Sequence, residues 1–264
     1  MQNDDLDVNI LKLIKLPDLI SICNALLGFL AILLVLSGGS EALKDALVVI
    51  LSAAVIDGLD GLVARGIESS HMGRYLDSLA DMVSFGTAPA ILAFVLINDH
   101  LMTAVCSAYL ICGELRLARF DAMAGAGARA RARAAGATTG DMDVDFEGLP
   151  ITGSAVFLAS FMLLALELHL HLVSSLFQSF LMAALCILMT SRIRYRNLRD
   201  MRIVIPLGCI FFALILFYAL HSPLFIYPTA IITALAALYI CSPAATYLKE
   251  MRGSLTEISS EHEK

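Results

Sequence analysis

Long apolar segments, interrupted by short polar ones, occupy most of the chain from residue 18 to residue 245. The hydrocarbon core of a bilayer takes about 20 apolar residues per helix, and eight segments come close to that length. They lie at 18–38, 42–64, 76–97, 101–120, 149–169, 174–191, 203–221 and 224–245. This pattern predicts an all-α integral membrane protein, a bundle of about eight transmembrane helices forming one domain over 1–252, with a polar tail at 253–264.

The composition excludes several classes of protein. Of the 264 residues, 59% are apolar and 16% are charged, whereas a soluble domain has about 25% charged residues to cover its surface. The six cysteines are scattered through apolar segments without a CxxC spacing, so we interpret them as core residues and not as a disulfide or zinc framework. A net charge of -6 argues against nucleic acid as a partner.

The basic residues orient the predicted bundle. If the N-terminus is cytoplasmic, all of the 18 Lys and Arg residues except Lys44 fall in cytoplasmic segments. Such a bias predicts a multi-pass protein of the cell membrane with both termini in the cytoplasm. The segment 121–148 has an Arg cluster followed by acidic residues and is expected to be a cytoplasmic loop. Its basic patch either only marks the cytoplasmic side or also contacts anionic lipids.

Four aspartates lie within or beside segments that otherwise read as membrane spans; they are Asp57, Asp60, Asp77 and Asp81. A carboxylate deep in a membrane helix costs about 2.5–3.5 kcal/mol on insertion scales, so such groups are functional by default. The first two share a helical face with Gly61 and Ala64, and the last two share one with Gly73. Because a short connection makes the two helices antiparallel neighbours, the four carboxylates are expected to meet in one small volume.

Four like charges in one volume need a counter-charge. Two divalent cations, Mg²⁺ or Mn²⁺, are the natural choice for carboxylate oxygens, and paired ions commonly serve phosphoryl transfer. Arg65, at the cytoplasmic end of its helix, could hold a phosphate oxygen. Interhelical salt bridges and the cation site of a transporter are the alternatives that the residues themselves leave open.

The residues DGLDGLVAR and GRYLDSLAD resemble the signature of the CDP-alcohol phosphotransferase family, D-x2-D-G-x2-A-R followed by G-x3-D-x3-D. The spacer between them has seven residues here, where eight are usual. The stretches SLADMVSFGTAPA, CGELRLARFD and FEGLPITGSA are similar to the phosphatidylserine synthase branch, which includes archaetidylserine synthases. The similarity has clear motifs from about residue 16 to residue 160.

This resemblance implies a CDP-lipid:L-serine O-phosphatidyltransferase that releases CMP and works as a homodimer, with its active site facing the cytoplasm. The metal ligands that it implies are Asp57, Asp60, Asp77 and Asp81, and the contacts to CDP are Gly61, Ala64, Arg65 and Gly73. It also implies that Asp81 is the general base for the serine hydroxyl. Whether the lipid is a diacyl ester or an archaeal ether stays open, as does the choice of metal.

The binding site for serine is less clearly marked. Arg116 or Arg119 could hold the serine carboxylate, or both could be positive-inside anchors. Ser21 and Asn24 could reach the nucleotide or bond between helices. Three other functions are considered: a family member with another acceptor, such as glycerol phosphate or inositol phosphate, an intramembrane prenyltransferase, and a cation transporter. The RLARF and GLP stretches argue against another acceptor.

Overall fold

The computed structural model describes residues 15–63, 72–133, 146–168, 175–195 and 201–243, which are helical almost throughout. The helices are α1 (Leu16–Ser37), α2 (Ser40–Val63), α3 (Gly73–Asp81), α4 (Ala88–Ile97), α5 (His100–Arg133), α6 (Ile151–Glu167), α7 (Ser175–Thr190), α8 (Met201–Ala219) and α9 (226–243). Two short strands, β1 (Phe146–Glu147) and β2 (Arg194–Tyr195), pair antiparallel. The predicted all-α class is confirmed.

Among the described residues, four helical stretches are long and apolar enough to cross a membrane: Pro17–Ser37, Gly73–Ile97, His100–Met123 and Pro223–Pro243. Shorter apolar helices are Ile151–Glu167, Leu176–Thr190 and Ile205–Ala219. Large apolar side chains such as Leu26, Phe29 and Leu33 are exposed along α1, as expected for a surface in contact with lipid. The chain is therefore a helical membrane protein, while the count of about eight spans and the cytoplasmic termini stay predictions.

The segment that we expected to be a loop at 121–148 is partly helical. Helix α5 has 34 residues and continues to Arg133, well beyond its apolar stretch, which ends at Met123. The physical reason is composition, because alternating Ala and Arg over 128–133 are both strong helix formers. Residues 134–145 of that segment and the predicted tail at 253–264 lie outside the described residues.

Helices α1 and α2 form a hairpin through Gly38 and Gly39, whose φ angles of 78° and 96° favour glycine. Helix α1 also packs closely against the segment that follows α3. A Cβ atom on Gly28 would lie 2.6 Å from the Cα of Ser84, so only glycine permits this approach. The hairpin is thereby held against the part of the chain that carries Asp77 and Asp81.

A π-helical turn, Met82–Thr87, joins α3 to α4 and follows Asp81 directly. The Thr87 hydroxyl donates to the carbonyl oxygen of Met82 at 3.0 Å across this turn. A π turn contains more residues than an α turn, so it rotates the face of α3 relative to that of α4, and such turns are frequent at functional sites. The turn therefore sets how α3, which carries Asp77 and Asp81, is oriented relative to α4.

The start of α6 is tied to the end of α7. The amide of Gly148 donates to the carbonyl of Ile193 at 2.8 Å, and that of Leu149 donates to the carbonyl of Leu188 at 3.1 Å. Gly148 has a φ of 85°, and a Cβ there would lie 2.5 Å from the carbonyl oxygen of Met189. These contacts fix the position at which α6 begins.

Candidate metal and substrate site

Three carboxylates from two helices meet in what we call the acidic cluster: Asp57 of α2 with Asp77 and Asp81 of α3. One oxygen from each lies within 4.8 Å of the others. Asp77 and Asp81 project together because they are one helical turn apart. Asp57 and Asp77 are half-buried, and Asp81 is only 8% exposed. The structure thus brings together three of the four aspartates singled out in the sequence.

The other predicted residues of the motif are placed as follows. Asp60 and Gly61 belong to the last turns of α2, where the backbone is described and the side chains are not. Ala64 and Arg65 lie outside the described residues. Gly73 is the first residue of α3 and is buried.

One hydroxyl and one amide, each from another helix, donate hydrogen bonds to the acidic cluster. The Thr152 hydroxyl, in the first turn of α6, donates to Oδ2 of Asp57 at 3.2 Å. The Asn24 amide, from α1, donates to Oδ1 of Asp81 at 3.3 Å. For Asn24 the sequence left a contact between helices as one of two alternatives, and the structure shows that contact. Thr152 was missed, although it stands in the FEGLPITGSA stretch.

The two arginines of α5 have different surroundings. Arg116 is half-buried and interacts electrostatically with Asp81 and Asp57, and its guanidinium lies 5.9 Å from the ring centre of Phe120. Arg119, one turn further along, donates to the carbonyl oxygen of Ser191 at 3.4 Å, at the C-terminal end of α7. A cation is favourable at that end of a helix. The arrangement places Arg116 with the acidic cluster and Arg119 with the packing of α7.

Helix α9 reaches the same end of the bundle. The ring of Tyr239 lies 5.4 Å from the ring of Tyr195, centre to centre. A Cβ atom on Gly153 would lie 3.7 Å from Cε1 of Tyr239, so the start of α6 and α9 are in contact. Tyr239 also interacts electrostatically with Arg116. No motif in the sequence pointed to this residue.

The chemistry of the acidic cluster fits a divalent cation. All three ligand groups are carboxylates, which are the hard oxygen donors that Mg²⁺ and Mn²⁺ prefer. Their oxygens are close enough to share one ion. Carboxylates this close together repel one another when they are ionised, and a bound cation would relieve that repulsion.

Comparison with known proteins identifies the class. The family model described as CDP-alcohol phosphatidyltransferase matches residues 14–240. The chain therefore belongs to this family of transferases, whose members depend in general on divalent cations.

Particular relatives are similar over most of the chain. The archaetidylserine synthase of Methanothermobacter thermautotrophicus is 36% identical over 200 residues, which cover 74% of this chain and 75% of the relative. The CDP-diacylglycerol--serine O-phosphatidyltransferase of Helicobacter pylori is 30% identical over 230 residues, covering 85% and 87%. The protein of the same name from Methanocaldococcus jannaschii is 33% identical over 189 residues, covering 71% and 76%.

Proposed function

We propose that this protein transfers the lipid phosphate moiety of a CDP-lipid to the hydroxyl of L-serine and releases CMP. The observation that carries the proposal is the acidic cluster, three carboxylates within 4.8 Å in a membrane protein of the CDP-alcohol phosphatidyltransferase family. The choice of serine is supported by the names of the relatives, which are serine phosphatidyltransferases and an archaetidylserine synthase.

Two divalent cations, Mg²⁺ or Mn²⁺, are proposed to bind the four motif residues Asp57, Asp60, Asp77 and Asp81. When bound, they would neutralise the negative charge of the CDP-lipid diphosphate. The residues proposed to contact the CDP moiety are Gly61, Ala64, Arg65 and Gly73. The position of Gly73 as the first residue of α3 supports this role, since glycine has no side chain to keep a ligand from the backbone there.

Asp81 is proposed as the general base. It takes the proton from the serine hydroxyl while that oxygen attacks the lipid-side phosphorus. The bond from this phosphorus to the CMP oxygen breaks as the new bond forms, and CMP leaves with the electron pair. The burial of Asp81 within the acidic cluster supports this role, because a base shielded from bulk water selects the bound alcohol.

Arg116 is proposed to hold the serine carboxylate. Its electrostatic interaction with Asp81 and Asp57 indicates that its charge lies in the neighbourhood of the proposed base. A guanidinium can bind a carboxylate through two parallel hydrogen bonds, which orients the bound serine as well as holding it. Arg119, whose guanidinium bonds to Ser191 at the end of α7, is assigned a role in packing.

The proposed topology has eight spans in one domain over 1–252, both termini and the acidic cluster facing the cytoplasm of a cell membrane, and the protein acting as a homodimer. The positive-inside bias supports this orientation. Its exception, Lys44, is ion-paired with Glu41 at 3.4 Å and with Glu167 at 3.0 Å. One exception among 18 Lys and Arg residues does not reverse the bias.

The test uses the purified protein in detergent with Mn²⁺ or Mg²⁺, a CDP-lipid and labelled serine. We expect CMP and a labelled serine lipid in equal amounts, and neither product after chelation of the metal. Parallel reactions with CDP-diacylglycerol and its archaeal ether analogue identify the lipid, and reactions with glycerol phosphate or inositol phosphate test the acceptor. CMP release with one of those alcohols but not with serine would contradict the proposed acceptor. A lack of CMP release with every alcohol would contradict the transferase chemistry itself.

A further inference from the structure

The amide of Asn24 has an unusual environment for a buried side chain. Asn24 is 1% exposed, and its Nδ2 donates to Oδ1 of Asp81 at 3.3 Å. Its own Oδ1 is buried and has no hydrogen-bond partner among the residues that the structure describes. Buried polar atoms are nearly always paired, and an exception in a native structure calls for a specific explanation.

The hydrogen bond fixes the direction of this amide. Its NH₂ group donates to the Asp81 carboxylate, so the nitrogen side of the amide faces Asp81. The carbonyl oxygen, which is bonded to the same carbon, then points away from Asp81, and no described residue donates to it. A residue retained only to join two helices would be expected to satisfy both of its polar atoms. The amide thus bonds to Asp81 through Nδ2, while its Oδ1 receives no hydrogen bond from a described residue.

The backbone beneath Asn24 is held in place on the side of Asp81. The hydroxyl of Ser84, in the π-helical turn, donates to the carbonyl oxygen of Asn24 at 2.7 Å. The close approach of Gly28 to the same serine fixes the next turn of α1. These two contacts fix the position of α1 relative to the residues that follow Asp81. In this position the Asn24 amide reaches the Asp81 carboxylate.

We infer that Asn24 is a positioning residue for Asp81, fixing the direction of its carboxylate within the acidic cluster. It acts through Asp81 and not on the substrate. The role in turnover rests on the proposed function, since it assumes that Asp81 is the base. The role in holding the acidic cluster in shape does not depend on which alcohol is the acceptor. Partners that orient a metal-binding residue typically change metal affinity or activity by 10–100-fold when they are removed.

The first experiment measures Mn²⁺ binding by electron paramagnetic resonance, with the full chain in detergent and no substrate present. We expect Asn24→Leu to weaken Mn²⁺ binding about tenfold while the melting temperature stays within a few degrees of wild type. Gln178→Leu is the matched control, because Gln178 of α7 is a fully buried amide whose two polar atoms have no partner in the described part of the chain. It lies about 18 Å along α7 from the end that Arg119 contacts, so Mn²⁺ affinity should remain unchanged.

The second experiment compares turnover for Asn24→Leu and for Asn24→Asp, which keeps the shape of the side chain without the donor. Both variants should lose at least tenfold in kcat with less than a threefold change in the KM for CDP-lipid. Wild-type Mn²⁺ affinity in Asn24→Leu, wild-type kcat in Asn24→Asp, or an equal loss in Gln178→Leu would each overturn the inference. If wild type uses another alcohol than serine, the proposed acceptor fails, and the Mn²⁺ comparison still decides the role of Asn24.

Discussion

Helix α2 contributes to two clusters of polar and charged residues, and the carboxylates of these clusters have different surroundings. The first, near its start, is a paired cluster made of Glu41, Lys44, Asp45, Glu167 and Tyr218. In it, Lys44 lies between two glutamates, and the Tyr218 hydroxyl donates to Oδ1 of Asp45 at 2.6 Å. The second is the acidic cluster around Asp57, about 18 Å further along the helix at about 1.5 Å per residue.

The two clusters differ in the groups that interact with their carboxylates. In the paired cluster a lysine forms ion pairs with the glutamates and a phenol bonds to Asp45, and these contacts join the three helices α2, α6 and α8. In the acidic cluster three carboxylates converge with the charge of Arg116 beside them. Carboxylates paired with a lysine and a phenol serve stability, whereas three carboxylates that converge on one point are suited to bind a cation.

The largest expected effect is that of removing the proposed base. Asp81→Asn keeps the size of the side chain but cannot accept the proton from serine, so kcat should fall by about 10²–10⁴-fold. The matched control is Asp45→Asn in the paired cluster, which should leave kcat within about threefold of wild type. Both are measured by CMP release from CDP-lipid and serine. Full activity in Asp81→Asn would contradict a catalytic role for the acidic cluster and its contrast with the paired cluster.

The next effect separates the two arginines of α5. Arg116→Ala removes a charged hydrogen-bond donor worth about 1.5–3 kcal/mol, so the KM for serine should rise by about 10–100-fold. The KM for CDP-lipid should change by less than about threefold. Arg119→Ala should instead lower the melting temperature, because its guanidinium holds the end of α7. A larger serine effect in Arg119→Ala than in Arg116→Ala would reverse the assignment.

A smaller effect concerns thermal stability, and its direction follows from the like charges of the acidic cluster. In metal-free protein, Asp57→Asn removes one of three like charges, so we expect the melting temperature in a chelator to rise. Wild type should gain more stability from added Mn²⁺ than the variant does, since a ligand stabilises the state that binds it more tightly. Thermal unfolding with and without Mn²⁺ measures both. A lower melting temperature for the metal-free variant would mean that the acidic cluster is already balanced.

Local sequence predicts much of the acidic cluster because helix geometry is regular. Asp77 and Asp81 lie one turn apart on any α-helix, and a short connection makes the helix with Asp57 an antiparallel neighbour. The apolar pattern likewise predicts the helical membrane class, because about 20 apolar residues are needed per span. These features depend on residues close together in the chain, where spacing alone decides which side chains meet.

The residues that the sequence could not place depend on packing between distant segments. Thr152 reaches Asp57 across 95 residues of chain, and Tyr239 lies beyond the part with recognisable motifs. No periodicity connects such residues, since their contact depends on how α6 and α9 are docked. The helical extension to Arg133 was missed for another reason. The apolar length of a segment locates a span, but helix propensity decides where the helix itself ends.

The smallest expected effect tests whether the paired cluster is purely structural. Glu167→Gln replaces the charge closest to Lys44, a pair in which the lysine side chain is 22% and the glutamate side chain 29% exposed. Partly exposed pairs contribute little, so the free energy of unfolding should fall by about 1 kcal/mol or less. CMP release should be unchanged, and added salt should reduce the difference in stability because the pair is partly exposed. A clear loss of turnover at wild-type stability would show instead that the paired cluster acts on the acidic cluster along α2, and the division between a structural and a functional end of this helix would fail.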